Sequence, residues 1–201
     1  ERLNSALVKM RPDDFLRARE KSSEPLQIIR KKCGFVGYDM IRRNERSPIL
    51  SMSIVLRCWF ASAAEVPAAG GISASGAAAG LSVEEAKKIT DFLCLAYDAF
   101  GRDPEYARAW SALTLTISMW LYRRTVISQS SGTTQLTRED FTKGLMALTA
   151  DSRHMDWLVG RMLNDRDRAP AYNRMKVIFA ARLHSEKGKI KMPAPAWAHG
   201  G

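Results

Sequence analysis

Apolar residues recur three and four positions apart along most of this chain, the spacing that gathers them on one face of an α-helix. After a weakly periodic stretch from Arg2 to Met10, Pro12 restarts the chain. Asp13 and Asp14 then precede Phe15, Leu16 and Ala18, which predicts a short helix with acidic groups at its electropositive end. Ser23 and Pro25 predict the next start, with Leu26, Ile29 and Cys33 on one face, Arg30, Lys31 and Lys32 on the other, and Gly34 as the stop. From Phe35 the period becomes two: Val36, Tyr38 and Met40 alternate with Gly37 and Asp39, predicting a small β-hairpin near residues 35–42.

Helical spacing returns after Ser47 and Pro48 with Met52, Val55, Leu56, Trp59 and Phe60. Residues 63–80 are mostly Ala, Gly and Ser without periodicity. Such side chains bury too little apolar surface to offset ordering entropy, so a flexible loop is predicted there. Ser82 and Glu85 make a capping-box pair ahead of Ile89, Phe92, Leu93, Ala96 and Phe100, and Gly101 closes that helix. Asp103 and Pro104 predict a long helix through Trp110, Leu113, Ile117, Trp120 and Leu121 to Arg123 and Arg124. Thr137 caps a helix with Phe141, Leu145 and Leu148, Ser152 opens another with Met155, Leu158 and Met162, and Pro170 starts a last one through Leu183. The pattern predicts an all-α fold, a single multi-helix domain of about seven helices with one small hairpin. It spans residues 1–192, with the flexible loop at 63–80 and a loose Pro/Ala/Gly tail at 193–201.

At 201 residues with 46% hydrophobic and 26% charged residues, the chain can bury a core and is not composed like a disordered one. The stretch from Ala112 to Leu121 is far short of the roughly 20 apolar residues that cross a bilayer, so no membrane partner is expected. No basic-then-apolar leader follows Glu1, and the absence of an initiator Met is what a fragment or a trimmed start would show. Cys33, Cys58 and Cys94 are odd in number, far apart and without C-x-x-C spacing. They predict neither a disulfide framework nor a zinc site and fit a reducing compartment, the cytoplasm.

Catalytic chemistry is not encoded in any motif. There is no G-x-x-x-x-G-K-[ST], and Gly70 and Gly71, like Gly76 and Gly80, lie in the low-complexity run, so no nucleotide or other cofactor is implied. His154, His184 and His199 stand apart with no ligand spacing; His154 between Asp151 and Asp156 is the sole acid-rich histidine neighbourhood and reads as helix-start charge. Asp13–Asp14, Glu84–Glu85 and Glu139–Asp140 all fall in first helical turns, where capping accounts for them. Cys58 sits beside an apolar face and reads as a buried small hydrophobe, and Trp59, Trp110, Trp120 and Trp157 read as core. Trp197 stands in the tail, where it could anchor a partner. The chain therefore reads as non-catalytic.

Charge is what distinguishes it. Of the net +10, residues 1–50 hold 12 Lys and Arg against 7 Asp and Glu, residues 161–201 hold 9 against 3, and the middle is nearly balanced. A field of one sign concentrates polyanions, and phosphate contacts from such groups bind nucleic acid in a salt-dependent way. The candidate nucleic-acid-binding residues are Arg30, Lys31, Lys32, Arg42, Arg43 and Arg46 in the first cluster, and Arg174, Lys176, Arg182, Lys187, Lys189 and Lys191 in the second. This reading expects both clusters to share one electropositive face. A protein-binding module, such as an inhibitor or assembly factor on an acidic partner, is the alternative. Residues Thr137 to Leu163 offer two helices with a short joint, but without the usual glycine or a basic second helix they match a helix-turn-helix poorly.

Three segments carry a resemblance: Asp14-Phe15-Leu16-Arg17-Ala18 followed by Ile28-Ile29 and Gly34-Phe35; Leu115-Thr116-Ile117-Ser118-Met119-Trp120-Leu121-Tyr122-Arg123-Arg124; and Ala171-Tyr172-Asn173-Arg174. Their order and spacing resemble the helical region that follows a ParB-like, DGQHR-type domain in proteins of phages and mobile elements. The DGQHR signature itself is not in this chain, so no functional residue of that domain is carried over. The resemblance implies only a setting, DNA transactions of a phage or mobile element in a bacterial cytoplasm.

Overall fold

The computed structural model describes residues 10–38, 50–63, 73–101, 108–128, 132–150 and 165–195, and every structural statement concerns these. Their fold is all-α, with eight α-helices among the described residues: α1 (Pro12–Glu20), α2 (Glu24–Lys32), α3 (Met52–Ala61), α4 (Ala74–Ala79), α5 (Val83–Phe100), α6 (Ala112–Tyr122), α7 (Arg138–Thr149) and α8 (Asp165–Lys187). Two two-residue strands, β1 (Val36–Gly37) and β2 (Leu50–Ser51), pair in parallel.

Starts follow local chemistry closely. Ser51, Ser73, Ser82, Ser111 and Thr137 each accept, through the side-chain oxygen, an N–H of the first turn of α3, α4, α5, α6 and α7. Thr137 and Asp140 form a reciprocal capping box. At the far end of α5, Gly101 takes φ of 61°, a backbone conformation that side chains with a Cβ disfavour.

Helix α6 holds the centre. Every residue from Leu113 to Tyr122 is buried, as expected of a helix apolar on all sides. The hydroxyl of Thr116 is satisfied by donating to the Ala112 carbonyl at 2.8 Å, and that of Thr125, just beyond the helix, donates to the Leu121 carbonyl at 2.8 Å. Around α6, α3 packs on one side and α8 on another, while α2 packs on α5, α5 on α7 and α7 on α8. Aromatic rings join the layers: Phe92 of α5, Tyr122 of α6 and Phe141 of α7 meet at 5.4–6.3 Å, Phe141 meets Phe179 of α8 at 5.7 Å, and Trp120 meets Tyr172 edge-on at 5.6 Å. Trp59, Trp110 and Trp120 are core residues, and Cys58 is buried with its thiol toward the Ala112 carbonyl; Trp157 and Trp197 lie outside the described residues.

Several expectations change. The strand signal at Val36 is real, but among the described residues its partner is Leu50 in a parallel ladder, where a hairpin would be antiparallel; residues 39–42 of the predicted hairpin lie outside the described residues. The period-two pattern marks a strand without naming the strand it meets. Within the loop predicted at 63–80, residues 74–79 form α4, capped by Ser73 and held by buried Ala77. Its alanines, at 74 and 77–79, are strong helix formers once a tertiary contact exists. The long helix predicted from Asp103 is not continuous: α6 starts at Ala112 with Ser111 as cap, following a tight turn at 108–110, and Asp103 and Pro104 lie outside the described residues. Pro170 lies inside α8, in its second turn, and does not start it. The tail predicted loose from residue 193 is tied down at its beginning: Pro193 and Pro195 are buried, and the Tyr172 hydroxyl donates to the Pro193 carbonyl. The helix predicted from Ser152 lies outside the described residues.

Candidate nucleic-acid interface

The first cluster follows from the end of α2. Arg30, Lys31 and Lys32 occupy its last turn, where cations complement the exposed carbonyls. Arg30 is turned inward: its guanidinium donates to the Val36 carbonyl, lies 3.9 Å from a Glu20 carboxylate oxygen, and sits 5.6 Å from the centre of the Tyr38 ring. It fastens α2 to β1. Lys31 and Lys32 are exposed. Arg42, Arg43 and Arg46 lie outside the described residues.

The second cluster is built on α8 and the segment after it. Arg174 and Arg182 are exposed on α8, eight residues or roughly 12 Å apart along its axis. Lys176 is half-buried, its ammonium 5.7 Å from the centre of the Tyr172 ring. Lys189 and Lys191 are exposed. Lys187 is in the last turn of α8, its side chain outside the described residues. What holds this surface is visible: Tyr172, Met175, Phe179 and Leu183 are buried on the opposite face. Beyond the helix, Lys191 exchanges two hydrogen bonds with Thr134, its N–H donating to Oγ1 at 2.9 Å and its carbonyl accepting from the Thr134 N–H at 2.8 Å.

The principal helix contacts run from α2 to α5, from α5 to α7 and from α7 to α8, so α5 and α7 stand on the contact path from the first cluster to the second.

One polar cluster escaped sequence reading. Arg123 opens a π-helical turn (Arg123–Ile127), a geometry that frees it from the α-helical register. Its guanidinium lies 3.7 Å from the centre of the Trp59 ring and donates to Glu85 Oε2 at 3.1 Å, to Ser62 Oγ at 3.1 Å and to the Trp59 carbonyl at 3.3 Å. The Trp59 indole N–H donates to the same Glu85 oxygen, and Lys88 Nζ stands 3.3 Å from the other. Glu85 is thus drawn away from the capping box predicted with Ser82, which keeps only the Ser82 half. Burial alone would raise the Glu85 carboxyl, but the Trp59 indole, Arg123 and Lys88 together hold it below its ordinary value. For Arg123 burial wins and lowers the guanidinium below its ordinary value against the raising pull of Glu85; it stays protonated, because its ordinary value is so high. The cluster ties α3, α5 and α6 together and satisfies itself. The pairing of Asp13 was also hidden: its carboxylate accepts from the Ser53 N–H at 2.9 Å and the Ser53 hydroxyl at 3.0 Å, so it caps α3 from α1.

Among the described residues no three of His, Cys, Asp or Glu gather to hold a metal ion, and no helix is long and apolar enough to cross a membrane. His154 lies outside the described residues. Comparison of the chain with protein-family models, curated proteins and solved structures finds no match in any of the three.

Proposed function

We propose that the chain binds nucleic acid, DNA in the first place, through the outer face of α8 and the segment 188–191. The observation that carries this is the density of exposed cations there: Arg174, Arg182, Lys189 and Lys191 all face solvent, and Glu186 is the one acid between residues 171 and 191 of the sequence. Such a surface contacts phosphates rather than base edges, so binding tolerates sequence and weakens with salt. Lys31 and Lys32 at the end of α2 have a secondary part. The resemblance to the region behind a ParB-like domain gives this proposal its setting, a DNA transaction of a phage or mobile element.

A second reading has its own support. Met146 on α7 and Val177 on α8 are apolar and 50% and 63% exposed, and apolar anchors beside cations suit an acidic protein partner. Salt separates the two. Four phosphate contacts give a log–log salt slope of about −3.6 on duplex DNA, or roughly a 150-fold loss of affinity from 50 to 200 mM salt. Charge reversal of Arg174, Arg182, Lys189 and Lys191 together should remove most of that slope, and reversal of Lys31 and Lys32 should leave most of it. Duplex binding that ignores both salt and the α8 reversal would end the nucleic-acid reading.

A further inference from the structure

Two of the three cysteines, distant in sequence, come together on packed helices. Cys33 caps the C-terminus of α2, its N–H bonded to the Ile29 carbonyl at 2.8 Å, and is fully buried. Cys94 lies in the middle of α5 and is exposed. Their neighbours fix the register: α2 packs on α5, and the Phe35 ring, two residues beyond Cys33, stacks on the Tyr97 ring, three residues beyond Cys94, with centroids 4.6 Å apart. In that register the Cys33 and Cys94 thiols stand close enough to act on one another. We infer that Cys33 and Cys94 form a reversible disulfide when the chain meets a peroxide, a modification that fastens the end of α2 bearing Lys31 and Lys32 to the middle of α5.

The order of events follows from exposure. Burial, and after it the Cys94 thiol beside it, push the Cys33 thiol up to about 12 against a lowering pull from Lys32, so Cys33 stays protonated at neutral pH. The first oxidation falls to the accessible Cys94. Its thiolate sulfur attacks one peroxide oxygen, an S–O bond forms as the O–O bond breaks, and hydroxide leaves and takes up a proton to become water. Cys33 sulfur then attacks the sulfenic sulfur of Cys94; the S–S bond forms, the S–O bond breaks, and the departing hydroxide takes the Cys33 proton. Two thiols have given up two electrons, and hydrogen peroxide has become two waters.

The test uses the full chain, reduced, exposed to hydrogen peroxide, then denatured and alkylated for intact-mass and peptide analysis. The oxidised monomer should take up one alkyl group, on Cys58, where the reduced chain with its three cysteines takes up three. A peptide pair joining Cys33 to Cys94 should appear, and a thiol reductant should restore full alkylation. Cys33→Ser should leave a Cys94 sulfenic acid that dimedone traps. Cys33 still fully alkylated while Cys94 proceeds to sulfinic acid or joins a second chain would overturn the inference. That measurement is made on the wild-type chain, so it stands whether or not the serine variant folds.

Discussion

Gly144 is where α7 and α8 come closest, and Gly144→Ala should destabilise the fold although it places a better helix former in a helix. A Cβ at that position would stand 2.5 Å from Cε1 and 3.0 Å from Cγ of Phe179, with Cδ1 nearer still. The close atoms include the root of the ring, so a swing of its far edge does not relieve them. Phe179 is fully buried and its other side rests on Phe141 at 5.7 Å, which leaves no space to retreat into. Overpacking of this kind costs about 1–3 kcal/mol, and the three contacts place it near the upper end. Against this stands a gain of about 1 kcal/mol from replacing Gly by Ala in a helix. The balance is a loss of about 2 kcal/mol, or a fall in Tm of about 4–8 °C for a chain of this size. Thermal unfolding followed by circular dichroism measures it. The companion experiment is the same substitution in a Phe179→Leu background, where the ring is gone and the Ala should be neutral or favourable. The difference between backgrounds is the coupling, expected at roughly 2–3 kcal/mol. A Tm that rises with Gly144→Ala, or a change equal in both backgrounds, would refute the reasoning.

Other outcomes follow from single contacts. Asp13→Ala removes both acceptors from Ser53 and should cost about 1–3 kcal/mol, read by urea denaturation as a lower midpoint with unchanged m, and Asn at the same position should recover part of it. Because Glu85 is held below its ordinary value of 4.5, its carboxylate stabilises the fold at neutral pH, and that contribution fades as pH drops below about 4.5 through the folded-state value. Glu85→Gln should be less stable at pH 7 and should flatten this part of the acid limb, whereas an unchanged pH profile would show that Arg123 and Trp59 gain nothing from the charge. Tyr172→Phe frees the Pro193 carbonyl; it should cost about 0.5–1.5 kcal/mol and speed hydrogen exchange at the Lys191 amide, whose bond to Thr134 depends on the same segment.

Sequence reading reached what is local. Ser82, Thr137 and Gly101 mark helix ends through groups within a few residues, and Leu26 with Ile29, or Phe92 with Leu93 and Ala96, mark buried faces by period alone. What lies beyond a single element was not legible. Asp13 and Glu85 each looked like first-turn acids of their own helices, because composition at a helix start has one local explanation that hides a distant partner. Arg30 looked like one of three equivalent cations; its inward turn depends on Val36, Glu20 and Tyr38 arriving beside it. The placement of the two basic clusters around the bundle was likewise out of reach, since charge along a chain carries no angle. The cysteine pair was missed for the same reason: Cys33 and Cys94 are joined by helix packing and not by spacing.

The burial of α6 on every side also bears on how the molecule could be divided. Elements preceding it, α3 among them, and elements following it, α8 among them, each supply part of its wall. Removing either group would strip one flank of Leu113–Tyr122 to water. Excision of α8 as a minimal binding peptide would therefore forfeit both the peptide's anchorage and the parent's integrity, and shortened versions should emerge as aggregates rather than as smaller working proteins.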